Sequence, residues 1–200
     1  LKIFEDSRML DFCTPIIFAS VKTMIFLKNQ FESSINFNRI NSADQARNNQ
    51  VNVINVWNEE VEIEFGSLNT TIGEYAIKSF VAATQALKDG KIDVLVTAPI
   101  NKQNIQSDVF NFPGHTDYLN QELEGESLMF MITDTLKVGL LTDHVPLKDI
   151  TATISEELIH SKIDTIYNTL LKDFGVRKPK IAVLGINPHT GDNGVIGNED

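Results

Sequence analysis

The stretch Thr71-Ile72-Gly73-Glu74-Tyr75-Ala76-Ile77-Lys78-Ser79-Phe80-Val81-Ala82-Ala83-Thr84-Gln85-Ala86-Leu87, followed by Gly90 and then by Ile92-Asp93-Val94-Leu95-Val96-Thr97, decides the fold class. Ile72, Ala76, Phe80, Ala83 and Leu87 recur every three or four positions, the spacing that lines one face of an α-helix. Thr71 with Glu74 predicts a capping box at its start, and Gly90 a stop behind it. The apolar run at 92–97 then reads as a buried strand. A helix leading into such a strand is the crossover that a parallel sheet requires.

Working outward, similar runs at 15–19, 51–56, 128–133, 137–142 and 181–186 predict further strands. A second helix is expected over about 155–174, burying Leu158, Ile159, Ile163, Ile166, Leu170 and Phe174. Thr153 with Glu156 would cap it, and Gly175 and Pro179 would end it. Only Asp134-Thr135-Leu136 separates 128–133 from 137–142, a spacing suited to an antiparallel hairpin. The expected architecture is therefore α/β with a mixed, largely parallel sheet. A domain change is expected between Gln106 and Pro113, where the helical pattern lapses, giving a first α/β domain over 1–108 and a second over 109–200.

Charge and composition narrow the function. The 200 residues carry 17 Lys plus Arg against 27 Asp plus Glu, a formal net charge of −10. A phosphate backbone is met by clustered cations, so nucleic acid is not an expected partner. With 42% apolar and 22% charged residues the chain has the balance of a folded protein. The most apolar early run, Thr14-Pro15-Ile16-Ile17-Phe18-Ala19-Ser20, is far short of the roughly 20 residues of a bilayer helix, so no membrane partner is expected. A single cysteine, Cys13, makes no internal disulfide and reads as a small core residue. A cytoplasmic enzyme or binding protein is the default.

In open α/β sheets ligands bind beyond the carboxyl ends of strands. Three loops there hold three of the four histidines: Ala98-Pro99-Ile100-Asn101-Lys102 with Pro113-Gly114-His115-Thr116, Asp143-His144-Val145-Pro146-Leu147, and Asn187-Pro188-His189-Thr190-Gly191-Asp192-Asn193-Gly194. Taken singly, each histidine reads as a loop residue bonded to nearby backbone. As a pair at two strand ends, His144 and His189 are candidates for a divalent metal, because neutral imidazole is the commonest ligand of zinc-like ions. His160, off the apolar stripe of its helix, reads as solvated. Lys102 is either a solvated surface lysine or, in a chain short of positive charge, a group that meets an anion or moves a proton. The glycines at 185, 191, 194 and 197 lack the dinucleotide-binding spacing, and no Walker-type Gly-Lys-Ser/Thr is present.

Four segments, in this order, resemble the signatures of the 4-hydroxythreonine-4-phosphate dehydrogenase family, often called PdxA. They are Val96-Thr97-Ala98-Pro99-Ile100-Asn101-Lys102, Pro113-Gly114-His115-Thr116-Asp117-Tyr118-Leu119, Asp143-His144-Val145-Pro146-Leu147-Lys148-Asp149 and Asn187-Pro188-His189-Thr190-Gly191. The resemblance implies a fold like isocitrate and isopropylmalate dehydrogenases, with two α/β domains and a cleft. It implies a homodimer with its active site at the subunit interface, and NAD held without the usual glycine fingerprint by residues that stay unassigned. By motif, His144 and His189 match two of three metal histidines, the ion being zinc, with magnesium or cobalt as alternatives. His115 and Thr116 match a substrate-binding pair, and Lys102 is a candidate for substrate contact or proton transfer. The implied reaction is oxidation and decarboxylation of 4-phosphohydroxy-L-threonine to 3-amino-2-oxopropyl phosphate, in the making of pyridoxal phosphate. Alternatives are a related dehydrogenase of threonate or erythronate 4-phosphate, or an inactive fragment or scaffold. The family's first strand and glycine segment, its His-Asp-Gln-Gly motif with the third metal histidine, and the Lys, Asn and Arg beyond it have no match here. A chain incomplete at both ends and inactive alone is the expectation.

Overall fold

A strand persists where a neighbour completes its hydrogen-bond ladder, and the computed structural model shows which of the apolar runs have one. It describes residues 1–107, 109–187 and 189–197. The chain divides into two compact units, Leu1–Glu124 and Gly125–Asp200.

In the first unit, β1 (Ile16–Ala19), β2 (Phe37–Ile40) and β3 (Val51–Asn55) form a parallel sheet in the order β1-β3-β2. Ile17 and Arg39 flank Val53 from either side, and Val53 is fully buried. The neighbouring Asn52 is as deeply buried, which is tolerable because its amide is fully engaged. Its Nδ2 donates to the carbonyls of Pro15 (3.3 Å), Arg47 (3.1 Å) and Gln50 (3.0 Å), while Oδ1 accepts from Asn38 Nδ2 and Arg47 N–H, each at 3.0 Å. Asn52→Leu keeps the volume but strips these partners, and is expected to cost about 2 kcal/mol, the scale of leaving buried polar groups unpaired. A urea unfolding midpoint equal to that of the parent would contradict this role.

Three helices belong to this unit. α1 (Val21–Gln30) leaves β1 at Ser20, and its first N–H, from Val21, donates to Asn55 Oδ1 at 2.9 Å, so the end of β3 caps it. α2 (Thr70–Lys88) is the helix expected from its periodicity, but its cap is Asn69, whose Oδ1 accepts from Thr71 N–H at 2.9 Å, rather than a Thr71–Glu74 box. Its buried face runs through Gly73, Ile77, Phe80, Ala83 and Thr84. Ile72, Ala76 and Leu87 of the expected stripe are only half-buried, because Thr84 can enter the core by donating its hydroxyl to the Phe80 carbonyl at 2.9 Å. Ser79 Oγ donates to the Phe18 carbonyl and ties α2 to β1. α3 (His115–Glu122) occupies a stretch expected as loop.

In the second unit, β4 (Phe130–Ile132) and β5 (Lys137–Gly139) form the expected antiparallel hairpin, closed by Thr133 N–H to the Leu136 carbonyl at 2.8 Å. A short α4 (Ile150–Thr153) precedes α5 (Glu156–Lys172). Ser155 caps α5, its Oγ accepting from Leu158 N–H at 3.2 Å, where Thr153 was the expected cap. Gly139 marks the close approach of hairpin and helix: a Cβ there would lie 2.7 Å from Ile166 Cδ1.

Three expectations need correction. The runs at 92–97 and 181–186 form no strand among the described residues; Val96 is 87% and Leu184 88% exposed. Apolar, β-branched content records a preference for burial on a sheet, but no ladder forms without a partner. In place of one mixed sheet there is a parallel sheet and a separate antiparallel pair. Cys13 is exposed, with Sγ 3.8 Å from the Met9 carbonyl, because it follows a surface 3-10 turn over Ser7–Asp11 instead of lying in β1. Before the first unit ends at Glu124, Phe110 and Tyr118 pack on Phe80 of α2, and Phe112 packs on Tyr118. Among the described residues no helix is long and apolar enough to cross a membrane.

Candidate functional site

Lys102 stands on a tight turn whose geometry comes from three amide side chains. Asn101 Oδ1 accepts from the N–H groups of Gln103 (3.1 Å) and Asn104 (3.0 Å), a local bond that Asn makes more readily than most residues. Asn104 Nδ2 donates to the Asn69 carbonyl at 2.7 Å, fastening the turn to the start of α2. Gln106 Nε2 donates to the carbonyls of Lys102 (3.2 Å) and Phe112 (2.9 Å), fastening its other side to the segment before α3. Gly73 makes the first attachment possible, because a Cβ there would sit 2.0 Å from the Asn104 carbonyl oxygen. The lysine itself is exposed, and its stem runs beside Gly114: a Cβ on that glycine would be 3.5 Å from Lys102 Cε and 4.0 Å from Nζ.

Gly114 is the N-cap of α3, so the next two residues, His115 and Thr116, carry helix-start N–H groups with no partner among the described residues. Thr116 is exposed; His115 is half-buried, with its ring against Phe80. Burial pushes the His115 pKa below the ordinary imidazole value. The first unit thus brings Lys102, His115 and Thr116 to one end of a short helix.

The second unit carries the other two histidines on exposed loops. His144 follows β5; its N–H donates to Asp143 Oδ1 at 2.7 Å and its Nδ1 lies 3.8 Å from Asp143 Oδ2, with the side chain 72% exposed. His189 is the N-cap of a 3-10 turn, Thr190–Asp192, and its N–H donates to Asn187 Oδ1 at 3.0 Å. Pro188 of the same motif lies outside the described residues. Among the described residues no group of three or more His, Cys, Asp or Glu side chains that could hold a metal ion is assembled. His160 is exposed on α5, as expected.

The family model described as "Pyridoxal phosphate biosynthetic protein PdxA" matches residues 11–200. The chain belongs to the PdxA family. A family relative from Bacteroides thetaiotaomicron, named 4-hydroxythreonine-4-phosphate dehydrogenase, is 41% identical over all of this chain and 56% of its own length. One of the same name from Sulfurihydrogenibium sp. is 37% identical over 92% of this chain and 57% of its own length. The chain therefore spans about half the length of the curated relatives it matches. Two solved family structures are similar to it: a 4-hydroxythreonine-4-phosphate dehydrogenase from Burkholderia phymatum, TM-score 0.84 at 28% identity over 98% of this chain and 60% of that one, and one from Klebsiella pneumoniae, TM-score 0.75 at 26% identity over 92% and 57%. These named relatives are dehydrogenases, and the family model is described as a pyridoxal phosphate biosynthetic protein.

Sequence reasoning missed the residues behind the site. Gly73, Asn104 and Phe80 shape it without belonging to any motif. Gly73 carried a usable signal, since glycine inside a helical pattern costs about 1 kcal/mol and usually marks a close approach.

Proposed function

We propose that the protein is an NAD-dependent, divalent-metal-dependent dehydrogenase that oxidises and decarboxylates 4-phosphohydroxy-L-threonine to 3-amino-2-oxopropyl phosphate. The observation that carries this reading is the convergence of Lys102, Gly114, His115 and Thr116 at the start of α3, in a family whose named members act as 4-hydroxythreonine-4-phosphate dehydrogenases. The substrate bears phosphate and carboxylate, and a chain of net charge −10 must gather positive potential locally to hold it. The Lys102 ammonium supplies one charge, and the free N–H groups at the start of α3 supply oriented dipoles. His115, whose neutral form burial favours, then offers one donor and one acceptor nitrogen to a substrate hydroxyl or amine, and Thr116 adds a hydroxyl.

His144 and His189 fit part of a metal's ligand set: both imidazoles are exposed and the donor chemistry suits a zinc-like ion, with magnesium or cobalt as alternatives. The two alone fall short of the three protein ligands usual for a catalytic ion. When bound, NAD supplies a hydride acceptor and the cation supplies Lewis-acid stabilisation of negative charge during oxidation and loss of carbon dioxide. We further propose a homodimer with the site at the subunit interface, an architecture like isocitrate dehydrogenase, and a cytoplasmic location.

Lys102→Met is expected to raise KM for the phosphorylated substrate at least about tenfold with a smaller change in kcat, the scale of one charge-assisted hydrogen bond. An unchanged KM would make Lys102 a bystander. The reading as a whole is tested by following NADH formation with 4-phosphohydroxy-L-threonine, threonate 4-phosphate and erythronate 4-phosphate in parallel. Preference for the first supports it; preference for either hydroxy acid moves the substrate assignment to that relative.

A further inference from the structure

Among the described residues, α2 sets a buried aromatic side chain, Phe80, against the candidate substrate histidine. We infer that Phe80 is a positioning residue for His115, holding its imidazole at a fixed tilt at the mouth of the substrate site. The two rings meet edge to face, with centroids 4.8 Å apart and planes at 78°. Phe80 is itself buried and held by Tyr118 (5.0 Å between centroids) and Phe110 (6.4 Å), so it cannot swing aside when His115 turns. His115 sits at the first position of α3, half-exposed, where an imidazole without a wall would sample several rotamers. An aromatic neighbour in this geometry selects among them. This inference rests on reading His115 as a substrate contact.

The same wall withholds water from the imidazole, which is why burial lowers its pKa. The titratable groups on the surrounding elements are Lys102 on the turn beside Gly114, Asp117, Tyr118 and Glu122 on α3, and Lys88, which pairs with Glu122 at 2.8 Å. Glu74 and Lys78 of α2 are exposed while Phe80 is buried. Burial is the cause of the His115 shift, with no charged neighbour contributing. The sign follows. A neutral-favouring histidine adds to stability above the ordinary imidazole pKa, and that contribution is lost as pH falls through the lowered value.

The test is a proton–carbon NMR titration of the four histidine rings, with His115 identified by His115→Gln. In the parent, the His115 midpoint is expected below the ordinary imidazole value. Phe80→Leu, which keeps apolar bulk but removes the ring, should move the His115 midpoint up towards that ordinary value. It should also raise KM about two- to tenfold with little change in kcat. Phe110→Leu thins the same cluster away from His115 and should leave the midpoint in place. An unmoved His115 midpoint in Phe80→Leu, or an equal shift in both variants, overturns the proposal. Should Phe80→Leu fail to fold, Phe80→Tyr keeps the ring and must keep the parent midpoint; a rise to the ordinary imidazole value overturns the proposal equally. Absence of any dehydrogenase activity in the parent would refute the functional reading alone, because the midpoints are read without turnover.

Discussion

In a chain that spans the full length of the family relatives, His144→Ala is expected to abolish stoichiometric divalent-cation binding and to lower turnover by about a thousandfold, and His189→Ala to do the same. The size follows from the several kcal/mol that a Lewis-acid cation contributes to stabilising developing charge, at about 1.4 kcal/mol for each factor of ten. Among the described residues neither imidazole makes a hydrogen bond, and His144 Nδ1 lies 3.8 Å from Asp143 Oδ2. Both side chains are exposed, and the hydrogen bonds that shape their loops use backbone N–H groups, donated to Asp143 and Asn187. Removing either imidazole should therefore leave the unfolding midpoint within about 0.5 kcal/mol of the parent, as is usual for surface substitutions. Metal content by elemental analysis and NADH formation on the same samples check this. A variant that keeps both metal and rate would remove that histidine from the site.

Gly73→Ala is expected to destabilise the first unit by about 3 kcal/mol, the upper part of the range for overpacking. The added Cβ would lie 2.0 Å from the Asn104 carbonyl oxygen and 2.8 Å from its carbonyl carbon, both backbone atoms that cannot rotate away. Relief requires the turn at 101–105 to lift from α2, breaking the Asn104-to-Asn69 hydrogen bond and carrying Lys102 with it. Loss of stability and weakened substrate binding should then appear together, by chemical denaturation and by KM. Alanine is the better helix former, so a neutral or stabilising outcome would mean that the turn does not rest on α2.

Much of the fold was legible where a pattern ran long enough to be unambiguous. α2 and α5 show three or more turns of periodicity followed by Gly90 and Gly175, and both appear within a few residues of their expected bounds. The caps were misplaced by two residues because Asn69 and Ser155 compete with threonines nearby, and a cap is decided by backbone geometry as much as by residue type. β2 is four residues long, too short for alternation to show. α3 hid because it is polar and buries only Tyr118, so no apolar stripe announces it behind Pro113-Gly114. The runs at 92–97 and 181–186 misled for the opposite reason: strong apolar content without a pairing partner among the described residues.

At the site, the motif residues could be named from sequence and their supports could not. Lys102 and the His115-Thr116 pair are recognisable as strings. That Gly73 and Asn104 bring the turn to α2, and that Phe80 faces the imidazole, depends on which side of α2 each residue takes. The stripe read from sequence and the face seen in the structure differ by a partial rotation of that helix, with Gly73, Ile77 and Thr84 replacing Ile72, Ala76 and Leu87 among the buried positions. A residue's distance from the site changes with that rotation while its motif does not.

The central claim is tested most directly by counting two products in one reaction. With 4-phosphohydroxy-L-threonine, NAD and a divalent cation, a chain that spans the full length of the family relatives should release one carbon dioxide for each NADH formed, and a chelator should stop both. NADH formed without carbon dioxide, equal amounts of both in the presence of excess chelator, or neither product under any cation would contradict the proposed oxidation and decarboxylation.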